Sequence, residues 1–445
     1  MSLISWPVNT RPAILYRSQK ISYQRYEQII KATILRLKSL GIKRGDRVAI
    51  VSPNCVEYLI LLPALWRLGA ISCHLSTRVP MPVLRNQIKK INCRILLSPK
   101  KTVSFKATSL VKQPSKVSLN QKTTILFTSG STSEPKAVVH TYGNHYYNAK
   151  GSNENISFRP GDRWLLSLPL YHVSGLGILF RMITGGGAIV IPGNEDLISA
   201  IKTFKITHIS LVTTHLYRLL QTRKNILALR KLKAILLGGS AIPPSLIKLA
   251  KKYRLPVYVS YGLTEMASQV ATSTKPRSGA KILKYRQVKI VNDEILVKGK
   301  TLFCGYAKGK KLIRPFKDGW FATGDLGKLD NGYLAVLGRK DNMFISGGEN
   351  IYPEEIEREL LRLAGVTEAI VIPQADAEFG QRPVAFVKGR IKASRIISRL
   401  NKNLPRFKLP QAFYAWPLRL ATAAKPQRQT FLNLLTQKHK LKKLA

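Results

Sequence analysis

Acidic residues are scarce in this chain, which carries 23 aspartates and glutamates against 73 lysines and arginines in 445 residues. The formal net charge is +50, and the stretches 58–133 and 379–445 contain no acidic side chain at all. Such a charge attracts polyanions, so nucleic acid, an anionic membrane surface and small anionic ligands are all compatible with it. A basic bias across a whole proteome would also produce this composition, and the charge alone therefore identifies no ligand.

Cysteines and long apolar runs are also few. The spacing of Cys55, Cys73, Cys93 and Cys304 contains no Cys-x-x-Cys pair, which argues against a structural metal site and predicts reduced thiols in a cytosolic protein. The most apolar stretch, 58–70, includes a proline and an arginine and is too short to span a bilayer. Because the N-terminus also lacks the pattern of a signal peptide, we expect a cytoplasmic protein without a transmembrane segment.

Apolar strands and helices alternate along most of the chain. Residues 23–40 carry apolar side chains at helical spacing behind Ser22, and short apolar runs such as 47–51 and 124–127 alternate with further helical segments. This alternation predicts the α/β class, with parallel sheets covered by helices on both faces. From 287 to 305 the pattern changes to period two, which predicts a small β-barrel-like unit.

The length of 445 residues exceeds a single hydrophobic core and predicts more than one domain. We place the boundary at 339–341, between a large N-terminal domain (1–338) and a small α+β C-terminal domain (342–445). The N-terminal side of this boundary contains Asp330-Asn331-Gly332, which predicts a tight hairpin turn.

A segment rich in glycine, serine and threonine is the most informative motif. Thr123–Lys136 runs from an apolar strand into this segment and ends on a lysine. Backbone N–H groups, hydroxyls and an ammonium together suit a polyphosphate, although similar clusters also form ordinary turns. The spacing differs from that of the Walker loop. Three more motifs follow it, Tyr261–Glu265, Gly319–Asp325 and Gly338–Ile351.

Taken in this order, the four motifs resemble the adenylate-forming superfamily of acyl-CoA synthetases, luciferases and nonribosomal adenylation domains. Within it, Leu168–Gly175 (LPLYHVSG) and Ser346–Pro353 (SGGENIYP) are most similar to the o-succinylbenzoate–CoA ligases of menaquinone synthesis. The resemblance implies an αβαβα-type N-terminal domain and a C-terminal domain that swivels at the hinge 339–341. It also implies an ATP-dependent ligase that forms o-succinylbenzoyl-CoA through an acyl adenylate, with release of AMP and pyrophosphate.

The resemblance assigns nucleotide-binding roles to individual residues. The β- and γ-phosphates of ATP would be held by Thr128, Ser129, Gly130, Ser131, Thr132 and Lys136. The adenine, the ribose and the α-phosphate would be contacted by Gly238, Gly239, Ser240, Tyr261, Gly262, Thr264, Asp325 and Arg339. Of these, Thr264 would act at the α-phosphate, and Asp325 with Arg339 would hold the ribose. Glu265 would bind Mg²⁺, because charge that builds on the phosphates needs a divalent cation.

The remaining implied roles concern the C-terminal part of the chain. Lys425 would be the catalytic lysine that bridges the acyl carboxylate and the α-phosphate, although an alanine precedes it where the superfamily has glycine. Gly347 and Gly348 would let the CoA thiol approach, and Asp341 would absorb the hinge motion. Ser133 also replaces a usual glycine, which stiffens the phosphate loop without removing a ligand.

The acyl pocket is expected around His172, Arg181 and Gly262, and His172 is also implied in catalysis. A buried core histidine is the alternative for His172. o-Succinylbenzoate carries a second carboxylate that is not activated and needs its own cationic partner. Arg181, within the apolar run 177–183, is the candidate, because an arginine in such a run requires an anion.

Alternative functions stay open from the sequence. The chain could act on another aryl or medium-chain acid, or be a nonribosomal adenylation domain, although we see no carrier segment after Lys425. From a different class, the net charge permits a nucleic-acid-binding protein that has lost catalysis, but the intact motif residues argue against that loss. We therefore expect ATP, Mg²⁺, CoA and o-succinylbenzoate as ligands and no specific nucleic acid. Contact with an anionic membrane and a homo-oligomer are both compatible with the sequence.

Overall fold

The computed structural model describes residues 3–4, 8–105, 116–128, 135–193, 195–239, 242, 244–273, 280–346, 349–376, 379–420, 427–436 and 441–444. These residues form two compact units. Unit 1 comprises Met1–Gly239, Arg254–Val288 and Val297–Phe321, and unit 2 comprises Ser240–Tyr253, Lys289–Leu296 and Ala322–Ala445. The hinge predicted at 339–341 falls within unit 2 and stays a prediction.

One sheet of unit 1 has a parallel centre. Its strands lie in the order Gln19–Ser22, Pro12–Tyr16, Ala188–Ile191, Arg163–Leu165, His208–Leu211, Ala234–Leu237, Val257–Leu263, Ser268–Ser273 and Ala280–Ile282. Neighbours from Pro12–Tyr16 to Val257–Leu263 are parallel, and the outer pairs are antiparallel. Several central strands are buried along their whole length, which explains why they contain mainly Val, Ile, Leu and Ala.

A second sheet of unit 1 brings distant parts of the chain together. Its strands lie in the order Ile95–Leu97, Arg47–Val51, Ile71–Leu75, Lys122–Phe127, Ala137–Thr141, Gly305–Lys308 and Lys311–Ile313. The first four strands are parallel and the others are antiparallel. A short pair, Leu3–Ile4 with Val117–Ser118, is separate from both sheets.

Helices pack against the sheets of unit 1. They are Tyr23–Ser39, Val56–Leu68, Met81–Lys90, Pro99–Thr102, Tyr142–Asn155, Val173–Gly185, Leu197–Thr203, Thr213–Leu219 and Arg223–Leu229. The first begins behind Ser22, whose Oγ accepts the N–H of Arg25 at 3.1 Å, as the sequence predicts. Among the described residues, no helix combines the length and apolarity that a bilayer crossing needs.

The core of unit 1 lies around two helices that are apolar on nearly every side, Val56–Leu68 and Val173–Gly185. Trp66 from the first stacks on Phe180 from the second, with ring centroids 5.1 Å apart. Both are fully buried, together with Tyr142. These helices and the parallel sheets confirm the predicted α/β class of the large unit.

Unit 2 contains a small α+β fold. Val366–Asp376 pairs antiparallel with Gly380–Gly389, which in turn pairs parallel with Ala412–Ala415. Helices Pro353–Leu360 and Ala393–Asn403 share one core with this sheet, and Arg428–Thr436 shares another. Helix Pro244–Lys252 also belongs to this unit. This arrangement confirms the predicted α+β character of the C-terminal part.

Residues 286–351 contain further antiparallel strands. They are Arg286–Val291, Glu294–Gly299, Phe316–Lys317, Trp320–Asp330, Tyr333–Arg339, Phe344–Ser346 and Glu349–Ile351. Single 3₁₀ turns occur at Thr264–Met266, Lys340–Asn342, Arg406–Lys408 and Leu418–Leu420. Asn331 and Gly332 have positive φ between the paired Asp330 and Tyr333, which confirms the predicted two-residue turn.

Candidate active site

The predicted phosphate loop is held together at its base. The N–H of Thr128 donates to the carbonyl oxygen of Lys136 at 3.0 Å, and the N–H of Lys136 donates to Thr128 Oγ1 at 3.3 Å. Phe127 pairs with Ala137 in the flanking strands. Lys136 is exposed, and its Nζ lies 5.2 Å from the ring centroid of Tyr306. The ammonium of Lys136 therefore lies beside an aromatic ring and is open to solvent.

Thr264 and Glu265 form a tight turn at the end of the strand Val257–Leu263. The hydroxyl of Tyr306 donates to Glu265 Oε1 at 2.8 Å. Burial, and then the charge of Glu265, raise the pKa of Tyr306, so the phenol stays protonated and can donate. The N–H of Phe303 donates to the carbonyl oxygen of Glu265 at 2.8 Å. Both the backbone and the side chain of this glutamate are therefore held in place.

A bulge precedes this turn. The register shifts between Tyr261 and Gly262 where the strand pairs with Ser268–Ser273. A Cβ at Gly262 would collide with the carbonyl oxygen of Ser268, so only glycine fits here. Tyr261 is half-buried beside it. The glycine of the motif thus allows the backbone path that leads to Thr264.

Two buried histidines, His140 and His145, lie together, and the first contacts the turn at Thr264. His140 Nε2 lies 2.7 Å from the carbonyl oxygen of Thr264, and this nitrogen must carry the hydrogen because a carbonyl only accepts. Burial lowers the pKa of His140 to about 4, so the ring is neutral at pH 7. Thr124 Oγ1 lies 3.4 Å from His140 Nδ1 and 2.8 Å from His145 Nε2. The hydroxyl therefore links the two imidazoles.

The predicted glycine turn lies at the end of another strand. Gly238 and Gly239 follow Ala234–Leu237, and Gly239 has a φ of +90°. A Cβ at Gly238 would lie 3.1 Å from the carbonyl oxygen of Ser260. The two glycines thus lie at the carboxyl edge of the parallel sheet, where ligands of α/β proteins commonly bind.

Arg181 is buried, with 1% of its surface exposed. Its Nε donates to Ser152 Oγ at 3.0 Å, its Nη2 donates to Gln269 Oε1, and its guanidinium carbon lies 4.8 Å from the ring centroid of Trp164. Burial lowers its pKa to about 10, which still leaves it charged at pH 7. It forms no ion pair with the described residues, and a Cβ at Gly177 would come 3.0 Å from its Nη1.

A second buried arginine meets the first at Gln269. Arg286 Nε donates to the carbonyl oxygen of Gln269 at 2.8 Å, and its other nitrogens donate to the carbonyl oxygens of Lys284 (2.6 Å) and Asn148 (3.1 Å). Burial and the nearby charge of Arg181 lower its pKa to about 9. Arg286 therefore donates to backbone carbonyl oxygens, whereas Arg181 donates to neutral side-chain oxygens.

His172 occupies the N-cap position of the helix Val173–Gly185 without a side-chain capping hydrogen bond, and it is exposed to solvent. Its ring packs edge to face with Tyr171 at a centroid distance of 4.9 Å. The alternative of a buried core histidine is therefore wrong for this residue. The exposed imidazole is accessible to a ligand.

In unit 2 an arginine connects two aspartates. Arg339 Nη1 donates to Asp325 Oδ1 at 3.0 Å, and its Nη2 donates to Asp341 Oδ2 at 2.8 Å. Asp325 and Arg339 are also direct partners across their hairpin. Glu294 fixes this region from the side, since it accepts from the N–H of Gly324 at 3.0 Å and from Lys340 Nζ at 2.8 Å. The predicted ribose residues and the predicted hinge residue are thus joined by one guanidinium.

Two protein-family models match the chain. Residues 7–307 match the AMP-binding enzyme family, and residues 355–423 match the AMP-binding enzyme C-terminal domain. The chain belongs to the AMP-binding enzyme family. Both matches agree with the adenylate-forming superfamily that the four sequence motifs resemble.

Several members of the family that are similar to this chain are 2-succinylbenzoate–CoA ligases. The 2-succinylbenzoate–CoA ligase of Haemophilus influenzae is 36% identical over 421 residues, which cover 93% of this chain and 92% of that protein. The structure of wild-type Escherichia coli MenE with an analogue of OSB-AMS has a TM-score of 0.85 at 30% identity and covers 96% and 97% of the two chains. O-succinylbenzoate coenzyme A synthetase (MenE) from Bacillus subtilis, in complex with ATP and magnesium ion, has a TM-score of 0.80 at 30% identity, covering 91% and 93%.

Some predicted site residues lie outside the described part of the chain. They are Ser129, Gly130, Ser131, Thr132, Ser240, Gly347, Gly348 and Lys425. Their roles, like those of the described site residues, stay predictions. Within unit 1 the fold brings both Lys136 and Glu265 next to Tyr306, although 129 positions separate these two residues in the sequence.

Sequence reasoning missed several residues that surround the predicted ones. Tyr306, His140 and Gln269 contact predicted residues directly, and Arg286 contacts Gln269, the partner of Arg181. Each is close in space but distant in sequence, so no local pattern marks it. The strand pairing of Gly305–Lys308 with Ala137–Thr141, which needs the fold, would have identified Tyr306.

Proposed function

We propose that this chain is an AMP-forming 2-succinylbenzoate–CoA ligase. In the first step, the succinyl carboxylate attacks the α-phosphorus of ATP, forming the acyl adenylate and expelling pyrophosphate. In the second step, the CoA thiolate attacks the acyl carbonyl and AMP leaves. The observation that carries the proposal is the 36% identity to a ligase of this activity across more than nine-tenths of both chains.

The residues on the described chain fit a magnesium ion held mainly by nucleotide. No group of three or more metal-ligating His, Cys, Asp or Glu side chains occurs in the described part of the chain. Mg²⁺ is typically bound by one or two carboxylates together with substrate phosphates and water, and Glu265 offers such a carboxylate in a fixed turn. When bound there, the ion would neutralise charge on the phosphate oxygens.

The protein's own groups have separate tasks in the proposed reaction. Lys136 would hold the terminal phosphates as a mobile point charge, and the Thr264 hydroxyl would donate to the α-phosphate. Asp325 would accept hydrogen bonds from the ribose hydroxyls while Arg339 keeps its carboxylate oriented. Lys425, outside the described residues, would stabilise the charge that develops as the carboxylate attacks.

The acyl specificity of the proposed ligase rests on Arg181. A buried guanidinium that hydrogen-bonds only neutral oxygens among the described residues is costly, because its desolvation lacks an opposing charge. The ring carboxylate of 2-succinylbenzoate would provide that charge. This feature favours the dicarboxylate over the alternative of an unsubstituted aryl or medium-chain acid.

The cellular setting forms part of the same proposal. The four cysteines are free thiols, as a cytoplasmic enzyme requires. The net charge of +50 would support salt-sensitive contact with an anionic membrane. A homo-oligomer is compatible with the sequence. Cell fractionation at two salt concentrations and sedimentation of the purified chain test these three points.

ATP–pyrophosphate exchange tests the proposed activity. Exchange should depend on 2-succinylbenzoate and Mg²⁺, and Lys425→Ala should reduce it strongly without unfolding the protein. A panel of benzoate, phenylacetate and hexanoate serves as the control, because these acids lack the second carboxylate. A higher kcat/KM for any of them, or exchange that does not need an acid, would contradict the proposal.

A further inference from the structure

Tyr306 contacts two residues of unit 1 that are predicted to bind the metal and the nucleotide, Glu265 and Lys136. Its hydroxyl donates to Glu265 Oε1 at 2.8 Å, and the centroid of its ring lies 5.2 Å from Lys136 Nζ. The first contact is a charge-assisted hydrogen bond, and the second is in the range of a cation–π interaction. One side chain therefore contacts both the carboxylate and the ammonium.

The backbone around Tyr306 is fixed to the same two elements. Tyr306 pairs with Val138 in the strand that starts directly after Lys136. The N–H of Cys304 donates to the carbonyl oxygen of Val139 at 2.8 Å. A Cβ at Gly305 would collide with the carbonyl oxygen of Ile313, so the chain path here requires glycine. The strand thus sets the distance between the tyrosine and the phosphate-loop lysine.

The ring of Tyr306 is also held by packing. Phe303 contacts it edge to face at a centroid distance of 4.8 Å. Phe303 in turn packs against Phe316 and Phe321, both at 5.2 Å. Its N–H binds the carbonyl oxygen of Glu265. A side chain supported in this way has little freedom, and a positioning residue needs that rigidity.

We propose that Tyr306 is a positioning residue for the metal–nucleotide complex: its hydroxyl fixes the carboxylate plane of Glu265, and its ring holds the ammonium of Lys136. The inference rests on the proposed function, because it assumes that Glu265 meets Mg²⁺ and that Lys136 meets the phosphates of ATP. Partners of metal-ligating carboxylates orient them, and removing such a partner typically costs 10- to 100-fold in metal affinity.

The two contacts can be separated by two substitutions. Tyr306→Phe removes the hydroxyl and keeps the ring, so it should weaken divalent-ion binding about 10- to 100-fold. Tyr306→Leu removes both contacts and should also weaken nucleotide binding without a metal about threefold. That additional loss should vanish in a Lys136→Ala background, because the cation is then absent. Tyr333→Phe, at an exposed tyrosine of unit 2, is the matched control.

Binding rather than turnover provides the test. Mn²⁺ is titrated by electron paramagnetic resonance into the full-length protein with α,β-methylene-ATP, and thermal melting verifies that each variant is folded. Weaker Mn²⁺ binding by Tyr306→Phe, with an unchanged KM for 2-succinylbenzoate at saturating Mg²⁺, supports the inference. Wild-type Mn²⁺ affinity in Tyr306→Phe, together with a loss in Glu265→Gln, overturns it and leaves the proposed function intact. If the wild-type protein binds no Mn²⁺ with the nucleotide, the proposed function and the inference both fail.

Discussion

Replacing Arg181 by methionine tests the origin of substrate specificity. Methionine nearly preserves the length of the side chain but removes the charge and the donors to Ser152 and Gln269. A hydrogen bond to a charged group contributes about 1.5–3 kcal/mol, which corresponds to roughly 10- to 150-fold in an equilibrium constant. If the ring carboxylate binds this guanidinium, Arg181→Met should raise KM for 2-succinylbenzoate by that factor. KM for ATP should change less than about threefold.

The same substitution should lower the stability of the free enzyme only modestly. Burial lowers the pKa of Arg181 from 12.5 to about 10, which corresponds to about 3 kcal/mol of unfavourable desolvation for the charged form. Removing the charge relieves this cost, while losing the two charge-assisted hydrogen bonds costs about 3–6 kcal/mol, or about 1.5–3 kcal/mol each. The free energy of unfolding should therefore fall by no more than about 3 kcal/mol. Breaking a buried ion pair, by contrast, costs about 3–5 kcal/mol.

A truncated substrate isolates the interaction. 4-Oxo-4-phenylbutanoate keeps the activated carboxylate and lacks the ring carboxylate. Pyrophosphate release should distinguish the two acids strongly in the wild-type enzyme and weakly in Arg181→Met. Arg286→Met is the matched control, because this arginine is also buried and donates only to backbone carbonyl oxygens. It should leave the preference between the two acids unchanged.

The reasoning would be refuted by one pattern of results. If Arg181→Met lost clearly more than about 3 kcal/mol of stability and raised KM for both acids equally, the arginine would be a structural residue.

Three other predictions concern the nucleotide site and the buried histidines. His140→Leu removes the donor to the Thr264 carbonyl oxygen and should lower kcat/KM about tenfold. His140→Gln keeps an N–H donor and should recover part of the lost kcat/KM. Equal losses in both variants would show that His140 does not support Thr264 through this hydrogen bond. Burial lowers the pKa of His74 to about 3 and that of His140 to about 4, so the unfolded chain binds more protons than the folded one below pH 6.5. In urea titrations the free energy of unfolding should therefore decrease as the pH is lowered from 6.5 to 4, by up to about 1.4 kcal/mol per pH unit for each histidine. A free energy of unfolding that does not depend on pH in this range would contradict the prediction. Asp325→Asn should raise KM for ATP about tenfold and leave that for CoA unchanged, as measured by initial rates; an unchanged KM for ATP would remove Asp325 from the ribose site.

Most of the fold follows from local sequence signals. The amphipathic pattern and Ser22 predict the first helix to within a residue of Tyr23–Ser39, and Asn331-Gly332 predicts the hairpin turn. Buried parallel strands are recognisable because both of their faces are apolar. The order of the strands within each sheet depends on long-range packing, and no local pattern encodes it.

The residues of the candidate site also differ in how far the sequence alone predicts them. Glu265 and Asp325 lie in local motifs, so the sequence alone locates them. Tyr306 and Gln269 act through contacts that strand pairing creates between distant segments, and the sequence does not show these contacts. Arg181 is intermediate, since its apolar neighbours predict burial whereas its neutral partners become evident only in the structure.

Oxygen transfer from the acid to the nucleotide tests the central claim most directly. The enzyme would be incubated with ATP, Mg²⁺, CoA and 2-succinylbenzoate labelled with ¹⁸O in its succinyl carboxylate, and the products analysed by mass spectrometry. Attack of the carboxylate on the α-phosphorus, followed by cleavage of the acyl C–O bond by the thiol, predicts one ¹⁸O atom in AMP and none in pyrophosphate. Label in inorganic phosphate with formation of ADP, or AMP without label, would contradict the acyl-adenylate mechanism.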